Sequence, residues 1–240
     1  MKILPFIILN FSFLFANSLT YKVYAPLFGE VGEVKINYTL TSTKYEIKAT
    51  TKTYGFAKKL SGNRVESYLA KGFIKNNIYH AKDFIQDVKY KNKKSFLEYI
   101  FNYKAKKIIK IRKKWIDNKL TTNYKKPLSY FTYNDLFTSY HNIVATLKNR
   151  ASGVYKMQVA GMEKYGGYLI IKIPPKKIQQ KEAKSMKVDN VWVFHIVTKK
   201  RILKSKSGEI IFAVGEDGIA KAVRVIDIPI VSHLDAKLIK

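Results

Sequence analysis

A two-residue alternation of apolar and polar positions runs through most of this chain, and a helical period interrupts it clearly once. Between Gly32 and Leu40, the residues Val34, Ile36, Tyr38 and Leu40 fall on one side and Lys35, Asn37 and Thr39 on the other. After a TSTK turn, Tyr45, Ile47, Ala49 and Thr51 repeat the pattern against Glu46, Lys48, Thr50 and Lys52, which predicts a half-buried antiparallel hairpin. An earlier strand is predicted over 19–25, ending at Pro26. Three long strands follow over 64–73, 78–90 and 96–115, separated by KNN and KNKK, and suggest a meander. Later strands are predicted over 154–160, 168–173, 191–203, 209–214 and 219–230. The stretch 53–60 reads as a short helical turn, and the Lys/Gln-rich run after Pro174-Pro175 reads as a loop as far as Asn190.

The exception lies between Tyr130 and Gly153. There Leu136, Tyr140, Ile143, Val144 and Leu147 recur at i, i+4, i+7, i+8 and i+11, which puts them on one face of a helix over about 134–148. Thr132 or Asn134 can cap it, and Asp135 adds a negative charge at the end where the helix dipole favours one. One amphipathic helix among strands needs a sheet to cover. The expected fold is therefore mostly β: an antiparallel, strongly curved sheet or barrel-like meander with one central helix in its mouth or across one face. An integral outer-membrane barrel is the rival reading of the same alternation, but the outward faces are dense in lysine and the chain ends in Lys240 rather than an aromatic residue.

Composition narrows this picture. The 240 residues, 47% hydrophobic, suffice for a substantial core and require only one domain, expected over 19–240. Residues 1–16 carry Lys2, a short apolar run and then small residues, the pattern of a signal peptide cut near 16–18. No other stretch is apolar for long enough to form a transmembrane helix, so the mature chain is expected to lack one and to reside in the periplasm. Cysteine is absent, which excludes both a lipoprotein anchor and a disulfide framework. The formal charge of +28 suggests anionic partners. Of the 45 basic residues, however, five are arginine and 40 lysine, and sites that read nucleic acids favour the bidentate Arg fork; a nucleic-acid partner is not expected.

Several blocks match a known pattern. Tyr21, Gly29, Gly32, Tyr45, Ile47, Ala49, Thr51 and, displaced from its place, Gly55 follow an opening of the type "Y-x-I-x-A-x-T-x-G", and Asp135, Ser139 and Val144 occupy a central "D-x-x-S-x-x-x-x-L" block loosely. In these blocks the mature chain resembles the DUF3108 family of exported bacterial envelope proteins. The resemblance implies export and a β-rich fold, and it brings no catalytic residue.

Candidate chemistry is sparse. In KAKKIIKIRKK, read as one strand, Lys104, Lys106, Lys110, Arg112 and Lys114 share a face, and Lys89, Lys91 and Lys93 on a neighbouring strand would widen it into a basic patch. Such a face suits a lipid headgroup, lipopolysaccharide or an envelope protein, and it also suits a merely solvated sheet face. Tyr99, Phe101 and Tyr103, with Leu136 and Tyr140 from the helix, are candidates to line an apolar cavity or to fill the core. Asp135, Ser139 and His141 are near in sequence, but His141 points away from the face that Asp135 and Ser139 share. His80, His141, His195 and His233 lack any paired spacing, so neither a catalytic site, a metal nor a cofactor is expected. Two functions remain open: a non-enzymatic protein that binds an amphipathic or anionic envelope component, or a scaffold for another envelope protein.

Overall fold

The computed structural model describes residues 15–60, 62–163, 166–198 and 205–239. The expected leader covers 1–16, and residues 1–14 lie outside the described residues. Fourteen strands form one antiparallel sheet in the order β8-β7-β6-β5-β4-β3-β2-β1-β14-β13-β12-β11-β10-β9. The first eight are β1 (Phe15–Ala25), β2 (Gly29–Leu40), β3 (Lys44–Thr53), β4 (Val65–Lys75), β5 (Ile78–Tyr90), β6 (Lys93–Asn102), β7 (Lys107–Ile116) and β8 (Lys119–Pro127). The remaining six are β9 (Gly153–Gln158), β10 (Tyr168–Ile173), β11 (Trp192–Val197), β12 (Glu209–Val214), β13 (Ala220–Ile228) and β14 (Ser232–Leu238). Two meanders are joined by the pairing of β1 with β14, Tyr21 opposite Leu238, and the sheet stays open between the edge strands β8 and β9.

The inner face carries the alternation read from the sequence. Ile36, Ala49, Tyr68, Gln86, Leu97 and Arg112 follow one another across β2 to β7, each opposite the next. One step along, Tyr38, Ile47, Ala70, Phe84, Tyr99 and Lys110 form the adjacent row. With Tyr45, Phe101 and Ile108, the row members Ile47, Ala70, Phe84 and Tyr99 build one core, and a second core gathers Tyr21, Leu169, Ile171, Phe194 and Val214.

Helix α2 (Leu136–Leu147) lies over this inner side, where Ile143 is buried in the second core and Asn142 holds β5 by accepting from the Tyr79 N–H and donating to its carbonyl, 2.8 Å each. Its cap is Asp135, whose Oδ1 accepts from the N–H groups of Phe137 (2.7 Å) and Thr138 (3.0 Å). Asn134 and Thr132, the residues expected to cap, turn instead to the Gln158 carbonyl and stitch the approach to α2 onto the end of β9.

Two features depart from the sequence reading. A short α1 (Gly55–Leu60) occupies the predicted helical turn, but the Lys/Gln-rich run read as a loop contains an eleven-residue helix, α3 (Lys176–Met186). It packs Ala183 and Met186 on the outer face of the sheet against Val193, Ile211, Ala213 and Ala222. In addition, the single strand expected over 96–115 is a hairpin of β6 and β7, and β8 and β14 add strands that the pattern did not separate.

Candidate functional site

The β6–β7 hairpin decides where the basic residues go. At its turn the Asn102 Oδ1 accepts from the Ala105 N–H (2.8 Å) and Lys106 takes a left-handed φ of 47°. The chain reverses so that Phe101 faces Ile108 and Tyr99 faces Lys110; odd positions point inward on β6 and even positions on β7. The five basic residues expected on one outward face are thereby dispersed. Lys104 and Lys106 sit exposed in the turn, Lys114 is exposed further along, and Lys110 and Arg112 face inward.

Lys110 is only 8% exposed. Its Nζ donates to Glu163 Oε1 (3.1 Å) and lies 5.5 Å from the Tyr99 ring centroid, while the Tyr99 hydroxyl donates to the same oxygen (2.7 Å). Burial pushes the Glu163 carboxyl up, but the Tyr99 hydroxyl, its own backbone N–H and the Lys110 ammonium together hold it below the usual range. The cluster fixes the segment after β9 to β6 and β7, across the open side of the sheet. Arg112 stands opposite Leu97 and Tyr124, its Nε buried with no hydrogen-bond partner among the described residues.

Of the two readings of the aromatic residues, a cavity lining or a core filling, the structure shows the filling. Tyr99 and Phe101 are buried in the core with Phe84 and Phe137 packed nearby, Tyr103 donates to the Ala81 carbonyl (2.6 Å), Tyr140 donates to the Gly218 carbonyl (2.9 Å), and Leu136 is exposed. Asp135, Ser139 and His141 serve separate ends. Ser139 donates to the Leu136 carbonyl (2.8 Å), and His141 stacks on Tyr79 at 4.6 Å between centroids, where burial pushes its pKa down to about 4. Asp135 also accepts from the Thr138 hydroxyl (2.7 Å), and burial pushes it up to about 6 against the pull of its hydrogen bonds. Among the described residues no group of three His, Asp or Glu is arranged to hold a metal ion. His233 lies 3.9 Å from Asp235, and His80 stacks on Phe73 at 4.8 Å with Nδ1 buried and without a hydrogen-bond partner among the described residues.

His195 is the most elaborately held histidine. Its Nδ1 lies 2.8 Å from Glu209 on β12 and its Nε2 2.9 Å from Glu182 on α3, and Lys172 on β10 reaches Glu209 at 3.1 Å. The ring joins the outer helix to the sheet.

The basic surface that does form lies at the tips of two neighbouring hairpins. Lys89, Lys91, Lys93 and Lys94 at the β5–β6 turn and Trp115 at the end of β7 line one cleft of about 570 Å³, together with Asn92, Asp117 and Asn118. Register produces it: Lys94 stands opposite both Lys89 and Trp115, and its Nζ lies 5.2 Å from the indole centroid. Lys93 lies 5.9 Å from the Tyr90 ring in the same way. Asn92 donates to the Asp117 carboxylate (2.6 Å) and ties the two turns together. Lys89, Lys91 and Lys93 were legible as a possible extension of a basic patch. Lys94 and Trp115 were not, because their meeting depends on strand pairing.

The fold defines a β-barrel-like protein built as an open antiparallel sheet with helices on both faces. No family model and no curated protein matches the chain. Among solved structures it is similar to the crystal structure of a β-barrel-like protein of the domain of unknown function DUF1849 from Brucella abortus, at 13% identity and a TM-score of 0.51, over 94% of this chain and 96% of that one. At that identity the likeness shows the fold alone. The resemblance to DUF3108 is overturned: no model of that family matches the chain, and the structural neighbour is of a different family. Tyr45, Ile47 and Ala49, which carried that resemblance, are inward residues of a curved sheet, so their spacing reports alternation. No helix among the described residues is long and apolar enough to cross a membrane.

Proposed function

We propose that this chain is an exported, non-catalytic protein of the cell envelope that binds an anionic amphiphile, a lipid or lipopolysaccharide, at the lysine cleft of the β5–β6 and β7–β8 turns. The convergence of Lys89, Lys91, Lys93 and Lys94 around Trp115 carries the reading. Ammonium groups meet phosphate as point charges, and an indole beside them offers apolar surface at headgroup depth. The filled interior favours a surface site over a buried one.

The test is a titration with short-chain phosphatidylglycerol below its micelle concentration, read by Trp115 fluorescence in a Trp192→Phe background. Saturable quenching or enhancement is expected, and it should vanish in Lys93→Glu/Lys94→Glu. Equal response of that variant, or none from the parent to either phosphatidylglycerol or lipopolysaccharide, would sink the proposal.

A further inference from the structure

Two neighbouring hairpin turns share a proline followed by an apolar residue in a left-handed conformation, which works against local preference. The β1–β2 turn reads Pro26-Leu27-Phe28 and the β13–β14 turn reads Pro229-Ile230-Val231. In the first, the Phe28 N–H donates to the Ala25 carbonyl (3.2 Å) and Leu27 takes a φ of 70°, so Pro occupies the second turn position and a left-handed residue the third. Ile230 likewise follows a proline and takes a left-handed φ of 77°. Glycine or asparagine suits such a position, and a β-branched residue there is an outlier. Both side chains are also bare, Leu27 being 96% and Ile230 83% exposed. Neither backbone economy nor core packing selects these two residues.

Because β1 pairs with β14, the two tips stand about 10 Å apart at two strand spacings. Strands alternate in direction, so the β5–β6 and β7–β8 tips with the lysine cleft fall at the same end of the sheet, about 20 Å further on along it. Ile116 and Leu120 stand exposed beside that cleft. Of the acids flanking the twin tips, Glu30 is paired with Lys22 at 2.8 Å, and Asp227, three residues before Ile230, is an exposed carboxylate that the more numerous lysines of this end outweigh. Lone apolar tips give a folded partner no continuous patch of the size that a stable interface needs. A bilayer, in contrast, accepts isolated side chains one by one, and its anionic headgroups complement the lysines.

We infer that this end of the sheet docks on an anionic membrane surface, with Leu27 and Ile230 inserted below the headgroups and the lysine cleft meeting their phosphates. The inference rests on the reading of the cleft and adds that the protein works from the bilayer. Each inserted Leu or Ile strengthens attachment roughly tenfold to a hundredfold.

Sedimentation with vesicles tests it. The full chain should pellet with phosphatidylcholine vesicles that contain phosphatidylglycerol and remain in solution with phosphatidylcholine alone. Leu27→Gly/Ile230→Gly should weaken vesicle binding by about a hundredfold or more, with an unchanged or higher Tm and unchanged binding of short-chain phosphatidylglycerol. Undiminished sedimentation of that variant would overturn the docking while the cleft reading stands. So would a chain that binds the short-chain lipid but no vesicle. A dimer abolished by the double glycine variant would assign the tips to a second copy of the chain and overturn it too. Loss of response to the soluble lipid in the parent would remove the cleft reading itself.

Discussion

Gly72 and Ile230 answer opposite demands at single backbone positions. At Gly72 the pairing of β4 with β5 shifts register, and an added Cβ would meet the His80 carbonyl oxygen at 2.0 Å and the Tyr45 ring at 2.6 Å. Gly72→Ala should therefore destabilise the fold by about 1–3 kcal/mol in urea unfolding, because neither the backbone nor the buried ring can withdraw freely. A midpoint equal to the parent's would show that the bulge has room. Ile230→Gly should move the midpoint the other way by up to about 1 kcal/mol, as relief of the left-handed strain outweighs the entropy that glycine adds to the unfolded chain. A clear loss of stability would mean that Ile230 packs in the fold rather than waiting for an outside surface. Residue by residue, the sequence exposed the composition of these turns but not their φ, which comes from where the strands end.

At the scale of elements, hairpin β6–β7 explains most of what the pattern misassigned. Its turn, Tyr103-Lys104-Ala105-Lys106, contains neither Gly, Pro nor Asn, and the polar signal that closes it, Asn102, sits one residue earlier. Read as one strand, the stretch put Lys110 outside; folded as two, it puts Lys110 beside Tyr99. Lys110→Met should destabilise by about 1–3 kcal/mol by leaving Glu163 short of a donor, whereas Lys114→Met should stay within about 0.5 kcal/mol. Equal effects in thermal unfolding would contradict the inward placement. Helix α3 escaped notice for a related reason: its two buried residues, Ala183 and Met186, are few, its N-cap Pro175 offers no side-chain bond, and its left-handed C-cap is Lys187 rather than Gly. Its attachment is electrostatic as well as apolar. Burial lowers the pKa of His195, but Glu182 and Glu209 more than offset this and leave it raised, with both ring nitrogens bonded as an imidazolium requires. A raised folded value gives stability that is complete below about pH 6.5 and lost as pH climbs through that folded value. Hydrogen exchange across α3, corrected for intrinsic rates, should accelerate as pH rises above about 6.5, and His195→Gln should flatten the dependence. A pH-independent α3 in the parent would assign its docking to Ala183 and Met186 alone.

The molecule as a whole must keep an open sheet from continuing into its neighbours. The interior, legible as alternation, folds β1 to β14 into one sheet. What happens at its two ends was not legible, because edges are set by which strands lack partners. Around β9 the approach to α2 supplies a cover: Tyr130 donates to the Val159 carbonyl (2.8 Å), Thr132 to that of Gln158 (2.6 Å), and the Ala160 N–H to the Asn134 carbonyl (2.8 Å). Strand β8 has β7 on one side, and nearly all its residues are exposed. Its protection is chemical, since Lys119, Lys125 and Lys126 repel a second copy and Pro127 withholds a donor. The same reasoning gives part of the +28 charge a physical role independent of any ligand, because self-repulsion opposes edge-to-edge association. Lys125→Thr/Lys126→Thr/Pro127→Val should then self-associate at micromolar concentration in sedimentation velocity, more so at high salt where the remaining charges are screened. Binding at the lysine cleft should survive, since Lys89, Lys91, Lys93 and Lys94 are untouched. If the variant stays monodisperse at high salt, the edge is shielded by geometry, and the lysines of β8 become free to be counted with the membrane-facing surface.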